Sequence, residues 1–197
     1  MLLENIKICP ICESDKSVFW KKINDWEIRS CSGCGLNRLD PRPVESELGK
    51  LYSENYFIDR KSRDIKKSKK QMSRSFRRRL CLIRRYSKGN TLLDAGCGEG
   101  DWLNYVSNKG FNAIGFDISD KAGKSTNCVV IKGAMCKVPI KGLYDVITCF
   151  HSLEHCENPV EALTWLSKYL NDNGIILIEV PNCGSYDAIH YDILWDG

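Results

Sequence analysis

The chain has 197 residues, 43% of them apolar, and a formal net charge of +4. That content excludes a disordered or low-complexity chain, and the length suits one full domain with a small appendage. No apolar run reaches the roughly 18 residues that a membrane-spanning helix needs.

The N-terminus, "MLLENIKICPIC", lacks the basic segment, long apolar core and small-residue cleavage site of a secretory leader, so a cytoplasmic location is expected. Eleven cysteines, an odd number spread over the whole chain, do not read as a disulfide framework. They read instead as several metal ligands plus small buried hydrophobes in a reducing compartment.

Residues 1–40 form the first unit. Cys9 and Cys12 in "CPIC" are followed, after eighteen residues, by Cys31 and Cys34 in "CSGCG". Two such C-x2-C knuckles at this separation match a zinc site. Pro10, Gly33 and Gly35 suit the tight turns that let paired thiolates share one ion. Between the knuckles, "SVFW" and "WEIRS" read as two short strands. So small a unit buries little apolar surface, and a four-thiolate zinc supplies the missing stability. Four thiolates leave no open coordination position, so the expected site is structural and the unit zinc-ribbon-like.

Residues 41–89 form a helical linker. The prolines of "DPRP" make it extended, and Val44–Tyr52 suggests a short helix before Tyr56 and Phe57. Residues 60–88 then carry fourteen Lys or Arg against one Asp. Ile65, Met72, Phe76, Leu80, Ile83 and Tyr86 recur at mostly helical steps, which predicts one long amphipathic helix or two shorter ones, stopped by Gly89. The charged side is either a solvated face or a docking surface for a phosphorylated or nucleic-acid partner.

From Asn90 to Gly197 strands and helices alternate. "TLLDA", "NAIGFDIS", "CVVIKG", "YDVITCF" and "GIILIEVPN" read as five strands. "GDWLNYVSNKG", a short piece through "DKAGKS", and "NPVEALTWLSKYL" read as helices. Near-continuous apolar strands separated by amphipathic helices imply a parallel, Rossmann-like α/β sheet covered on both faces.

In such a sheet ligands sit beyond the carboxyl ends of the strands. The turn after the first strand holds Gly96, Gly98 and Gly100, preceded by Asp94. Without side chains at these positions a ligand can rest on the backbone, near the free amides of the next helix. Asp117, ending the second strand, can accept both hydroxyls of a ribose. This supports a nucleoside without choosing between a dinucleotide and another adenosine derivative; the spacing here is G-x-G-x-G rather than G-x-G-x-x-G.

"LLDAGCGEGDWL", "AIGFDIS", "YDVITCFHSLEHCENPVEAL" and "LNDNGIILIEVPN" resemble the successive motifs of class I S-adenosylmethionine (SAM)-dependent methyltransferases, over about residues 90–182. The four-cysteine unit, "DPRPVESELGKLYSENYF" and the basic helix resemble a bacterial subgroup acting on sugars and other small molecules of surface-polysaccharide or secondary-metabolite pathways. The resemblance implies that Asp94, Gly96, Gly98 and Gly100 hold the methionine part of SAM, that Asp117 holds its ribose, and that Ile118 packs on adenine. Where that family commonly has an acidic residue after the glycine of "KGAMCKVP", this chain has Ala134.

Residues after the fourth strand would lie beside the transferred methyl group. Here they include His151, Glu154 and His155, the candidate catalytic groups, with an imidazole as base and Glu154 orienting it. Two other readings stand beside this. The histidines are spaced like metal ligands on a helix, but H-E-x-x-H order is lacking and Pro159 argues against a long helix. Alternatively, these residues only shape the loop and cap the next helix. Members of the resembled family continue beyond "YDILWDG" with two more strands, so the sheet is expected to be truncated here, its fifth strand an open edge that a partner chain could complete. The functional readings are a methyltransferase of a small acceptor, such as a nucleotide-sugar; a methyltransferase of RNA or protein docking through the basic helix and zinc unit; and a non-catalytic SAM-binding or interaction module.

Overall fold

The computed structural model of the chain describes residues 2–44, 47 and 65–191, with the side chains of residues 65–71 outside that description. Most of the expected Val44–Tyr52 helix, Tyr56, Phe57 and the "DILWDG" terminus therefore lie outside the described residues.

The N-terminal region pairs β1 (Leu3–Glu4) with β5 (Arg42–Pro43), and forms a three-stranded antiparallel sheet from β2 (Ser17–Ile23), β3 (Trp26–Cys31) and β4 (Asn37–Leu39). The two strands expected between the knuckles are β2 and β3; β4 is additional. This region is tied to the rest of the chain by Arg42, whose Nη1 donates to the Glu157 carbonyl at 2.8 Å, and by Asn37, whose Nδ2 lies 3.2 Å from Cys183 Sγ.

The basic segment forms one helix, α1 (Ile65–Tyr86). Phe76, Leu80 and Ile83 are buried as their spacing predicts, while Met72 and Tyr86, counted on the same stripe, are 40% and 64% exposed. Met72 instead lines a cleft at the carboxyl end of the sheet.

Five strands follow: β6 (Thr91–Ala95), β7 (Asn112–Asp117), β8 (Val129–Lys132), β9 (Tyr144–Phe150) and β10 (Leu170–Glu179). They form one parallel sheet in the order β10-β9-β6-β7-β8. The order reverses between β6 and β9, so a crevice opens at the carboxyl ends of that pair. Alternate residues feed the two faces. Leu92 and Val146 join Phe76, Leu80 and Ile83 of α1 and Trp102, Leu103 and Val106 of α2 (Asp101–Ser107). Leu93, Ala95, Ile147 and Cys149 join Ala162 and Leu166 of α3 (Pro159–Ser167). The six-residue α4 (Tyr186–Tyr191) closes the described chain.

The helical piece expected through "DKAGKS" is a run of turns instead. Ser119 N–H donates to Asp117 Oδ1, Lys121 N–H to Ser119 Oγ, Gly123 N–H to the Gly98 carbonyl and Ser125 N–H to the Glu99 carbonyl. Side-chain acceptors and the glycine turn thus claim the amides that a helix would use.

Ile83 is fully buried between α1 and the sheet. Ile83→Ala is expected to lower unfolding free energy by about 3 kcal/mol, whereas Arg77→Ala, on the exposed side of the same helix, should change it by less than about 0.5 kcal/mol. Urea denaturation of both variants measures the difference.

Candidate functional site

Asp94 and Thr148 are register partners on β6 and β9 and point to the α1 and α2 face. An acid at such a position must find a donor, because the strand leaves it no water. Thr148 Oγ1 donates to Asp94 Oδ1 at 2.6 Å, and Trp102 Nε1 stands 3.2 Å from Thr148 Oγ1. Asp94 is only 3% exposed. Burial pushes its carboxyl up to about 7, against the pull of the Thr148 hydroxyl and the Arg79 charge.

The chain then turns through three glycines with positive φ. At Gly96 a Cβ would meet Ser152 Oγ at 2.1 Å, and at Gly100 it would meet Thr126 Cγ2 at 2.4 Å. These two glycines let the protein's own loops close in. Gly98, at φ 53°, has nothing within 4 Å of such an atom. Within this turn, Gly98 is the glycine whose missing side chain leaves open space.

Gly98 N–H donates to Asp117 Oδ2 at 2.8 Å, and Ser119 N–H donates to Asp117 Oδ1 at 2.7 Å. An ionised carboxylate has about four lone-pair positions, so Asp117 keeps capacity for further donors. Ile118 beside it is 38% exposed. Asp94, Gly96, Gly100 and His151 line a cleft of about 190 Å³, together with Met72, Phe76 and Arg79 of α1, Trp102 of α2 and Phe150 of β9. Gly98, Asp117 and Ile118 lie outside that lining, joined to it through the glycine turn.

The loop after β9 carries the titratable cluster. Buried Leu153 anchors a single 3-10 turn, Leu153–His155. Asn158 caps α3, its Oδ1 accepting from the N–H groups of Val160 and Glu161 at 3.1 Å, with Pro159 as the first helical residue. Between these anchors, Glu154 Oε1 sits 3.8 Å from His151 Nδ1 and 3.9 Å from His155 Nε2. Of the three residues, His151 lines the cleft. Burial lowers the affinity of His155 for a proton, partly offset by the Glu154 charge.

Two residues that the spacing did not single out complete this end of the sheet. Arg79 makes a bidentate contact with Glu179, Nε to Oε2 at 2.9 Å and Nη2 to Oε1 at 2.6 Å, and its guanidinium lies 4.1 Å from the Phe150 ring centre. Arg79 falls three residues after Phe76 and four before Ile83, on the apolar stripe, and Glu179 is the charge ending an apolar strand. Both were legible as misplaced charges. The Arg79 side chain is the largest influence holding the Glu179 carboxyl below its usual range.

At the other end of the chain, the sulfurs of Cys9, Cys12, Cys31 and Cys34 all lie within 4.8 Å of one another. The Cys34 backbone N–H is the main cause drawing the Cys31 thiol down to about 6. For Cys12, the pull of the Ser14 backbone N–H is outweighed by the neighbouring thiols of Cys31 and Cys34, which push it up to about 12.

A family model described as a methyltransferase domain matches residues 63–195. The uncharacterized protein MJ1252 of Methanocaldococcus jannaschii is 34% identical over 113 residues, 54% of this chain and 40% of that one. A ubiquinone biosynthesis O-methyltransferase of Nitrosomonas europaea is 26% identical over 103 residues, 47% of this chain and 44% of its own length. The matched stretch thus spans less than half of either curated relative. Among solved structures, the magnesium protoporphyrin IX methyltransferase of Synechocystis PCC 6803 with bound SAM gives a TM-score of 0.50 at 18% identity, covering 64% of this chain and 71% of that one. This likeness is one of fold.

Because the Thr148 hydroxyl counteracts the effect of burial, Thr148→Val is expected to move the Asp94 carboxyl upward from about 7. Titration of the Asp94 carboxyl carbon by NMR measures the displacement.

Proposed function

The chain belongs to the class I SAM-dependent methyltransferases, and from that premise we propose that it transfers a methyl group from SAM to a small-molecule acceptor. The observation that carries the reading is the open space where Gly98 would carry a Cβ, in the turn between buried Asp94 and the tip of β7. Asp94 and the glycine turn of Gly96, Gly98 and Gly100 would hold the methionine part, whose ammonium suits a carboxyl able to ionise near neutral pH. Asp117 would take the ribose hydroxyls and exposed Ile118 the adenine. The sulfonium supplies an already activated methyl group. What remains for the protein is to orient the acceptor, shed water and remove a proton. The cleft wall of Met72, Phe76, Phe150 and Trp102 would bind an acceptor's apolar part. His151 would take the proton, with Glu154 and His155 behind it.

The acceptor class we favour is a nucleotide-sugar or a related polysaccharide or secondary-metabolite intermediate. Arg74, Arg77, Arg78, Arg84, Arg85 and Lys88 are all exposed on or just after α1 and suit a diphosphate. The same residues follow one another at helical spacing, which favours a second reading in which the acceptor is RNA. A steep fall of RNA binding with salt would distinguish it. In this reading residues 1–40 are a zinc-binding unit, 41–89 a linker with the basic helix, and 90–197 the SAM-binding domain.

The four thiols fit a structural zinc. A tetrahedral ion with Zn–S bonds of about 2.3 Å sets sulfurs roughly 3.8 Å apart, and here Cys9–Cys34 and Cys12–Cys31 stand at 3.6 and 3.5 Å. A divalent cation is also what lets four neighbouring thiols ionise together. Protein purified without added metal is expected to hold about one zinc per chain, read by elemental analysis; a folded, metal-free unit would count against the assignment.

The cofactor placement is tested by calorimetry with S-adenosylhomocysteine. Gly98→Val is expected to abolish binding. Gly98→Asn, which tolerates the left-handed backbone, should do so with the fold intact. Unchanged affinity in a folded variant would overturn the placement. Isotope-labelled SAM offered with nucleotide-sugars, lipids and RNA identifies the acceptor.

A further inference from the structure

His151 stands at an unusual corner. Its φ of 52° takes it out of strand geometry immediately after β9, although its N–H still reaches the Glu179 carbonyl at 2.8 Å. For a non-glycine residue that conformation persists only where neighbours enforce it. The neighbours here are Glu179 and Arg79. The Glu179 side chain places Oε1 3.2 Å from His151 Nε2, so the last residue of β10 holds His151 by main chain and side chain together. Arg79 fixes that carboxylate with two hydrogen bonds and covers the Phe150 ring, the residue preceding His151.

Resting on the reading of His151 as the base, we infer that Glu179, braced by Arg79, is a positioning residue that holds His151 as its Nε2–H tautomer and leaves Nδ1 as the atom that accepts the proton. Glu179 is kept ionised by Arg79, first through the bidentate hydrogen bonds. An ionised carboxylate only accepts, so the hydrogen in the 3.2 Å contact belongs to Nε2. The other ring nitrogen faces Glu154 Oε1 at 3.8 Å, too far for a hydrogen bond, so Nδ1 has no partner there that would take its hydrogen in place of Nε2. Among the described residues, the charged and titratable groups nearest the ring are Glu179, Glu154, Arg79 and, across Glu154, His155, while Asp94, Glu99 and Asp101 line the same cleft. During transfer the acceptor heteroatom releases its proton to Nδ1 as its electron pair bonds the methyl carbon. The pair of the broken sulfur–carbon bond stays on sulfur, and the imidazolium later returns the proton to water. The ring keeps its hydrogen toward Glu179 throughout.

The test needs no acceptor. Ring-nitrogen NMR of the full chain with labelled histidine, assigned by His151→Asn, reads the tautomer at a pH where the ring is neutral. The wild type is expected to show a protonated Nε2 and a bare Nδ1. Glu179→Gln keeps a carbonyl oxygen for Nε2 and should retain this form; Glu179→Leu should lose it. A wild-type ring protonated at Nδ1 would overturn the inference, and this measurement decides the matter should Glu179→Leu fail to fold. A folded Glu179→Leu with an unchanged pattern would overturn it as well. Loss of the cofactor placement through the Gly98 variants would leave this tautomer assignment standing.

Discussion

A carboxyl group inside an apolar layer must be satisfied by its neighbours, and Asp94 is satisfied by the one strand that topology puts beside it. Thr148 is its register partner only because β9 returns to the opposite side of β6 from β7. The reversal of strand order that opens the crevice therefore also brings the hydroxyl that holds the acid. Trp102 completes the chain of donors from the first turn of α2. The same tryptophan packs against Phe76, Tyr105 and Phe150, so the polar relay and the aromatic wall of the cleft share a residue.

A second clasp works at the opposite ends of these strands. Asp145 accepts from the Thr91 N–H and hydroxyl and from Asn171 Nδ2, joining the starts of β9, β6 and β10. These contacts, led by the Thr91 N–H, hold its carboxyl below the usual range. A low carboxyl here and a raised one at Asp94 show what placement does to one functional group. Asp145 sits among several donors near the surface, whereas Asp94 sits under apolar cover with one.

Much of the architecture could be read from the letters because it rests on local pattern. β6 and β9 begin and end where their apolar runs do, at Thr91–Ala95 and Tyr144–Phe150. The parallel sheet followed from those runs, and the four-cysteine cluster from its spacing. Where reading failed, distant partners were responsible. The turns over 119–126 are set by amides captured at Gly98 and Glu99, which no local periodicity reveals. Tyr86 has the spacing of a core residue but is exposed, at the last position of its helix. The glycine turn could be located, but not the division of labour within it, since the demands at Gly96 and Gly100 come from Ser152 and Thr126. Arg79 and Glu179 meet across 100 positions, and nothing in either neighbourhood announces the other.

Helix α1 touches three environments at once. Its Ile83 and Leu80 are in the core, its Phe76 and Arg79 border the cleft, and its outward arginines meet water. Outward charge and inward packing are consequently carried on different sides of one stretch of 22 residues. Were the acceptor the anion proposed above, changing the outward charge would alter how fast it arrives, and how strongly ionic strength slows it, while the groups lining the cleft stay put. Capture rate and fit could then drift independently.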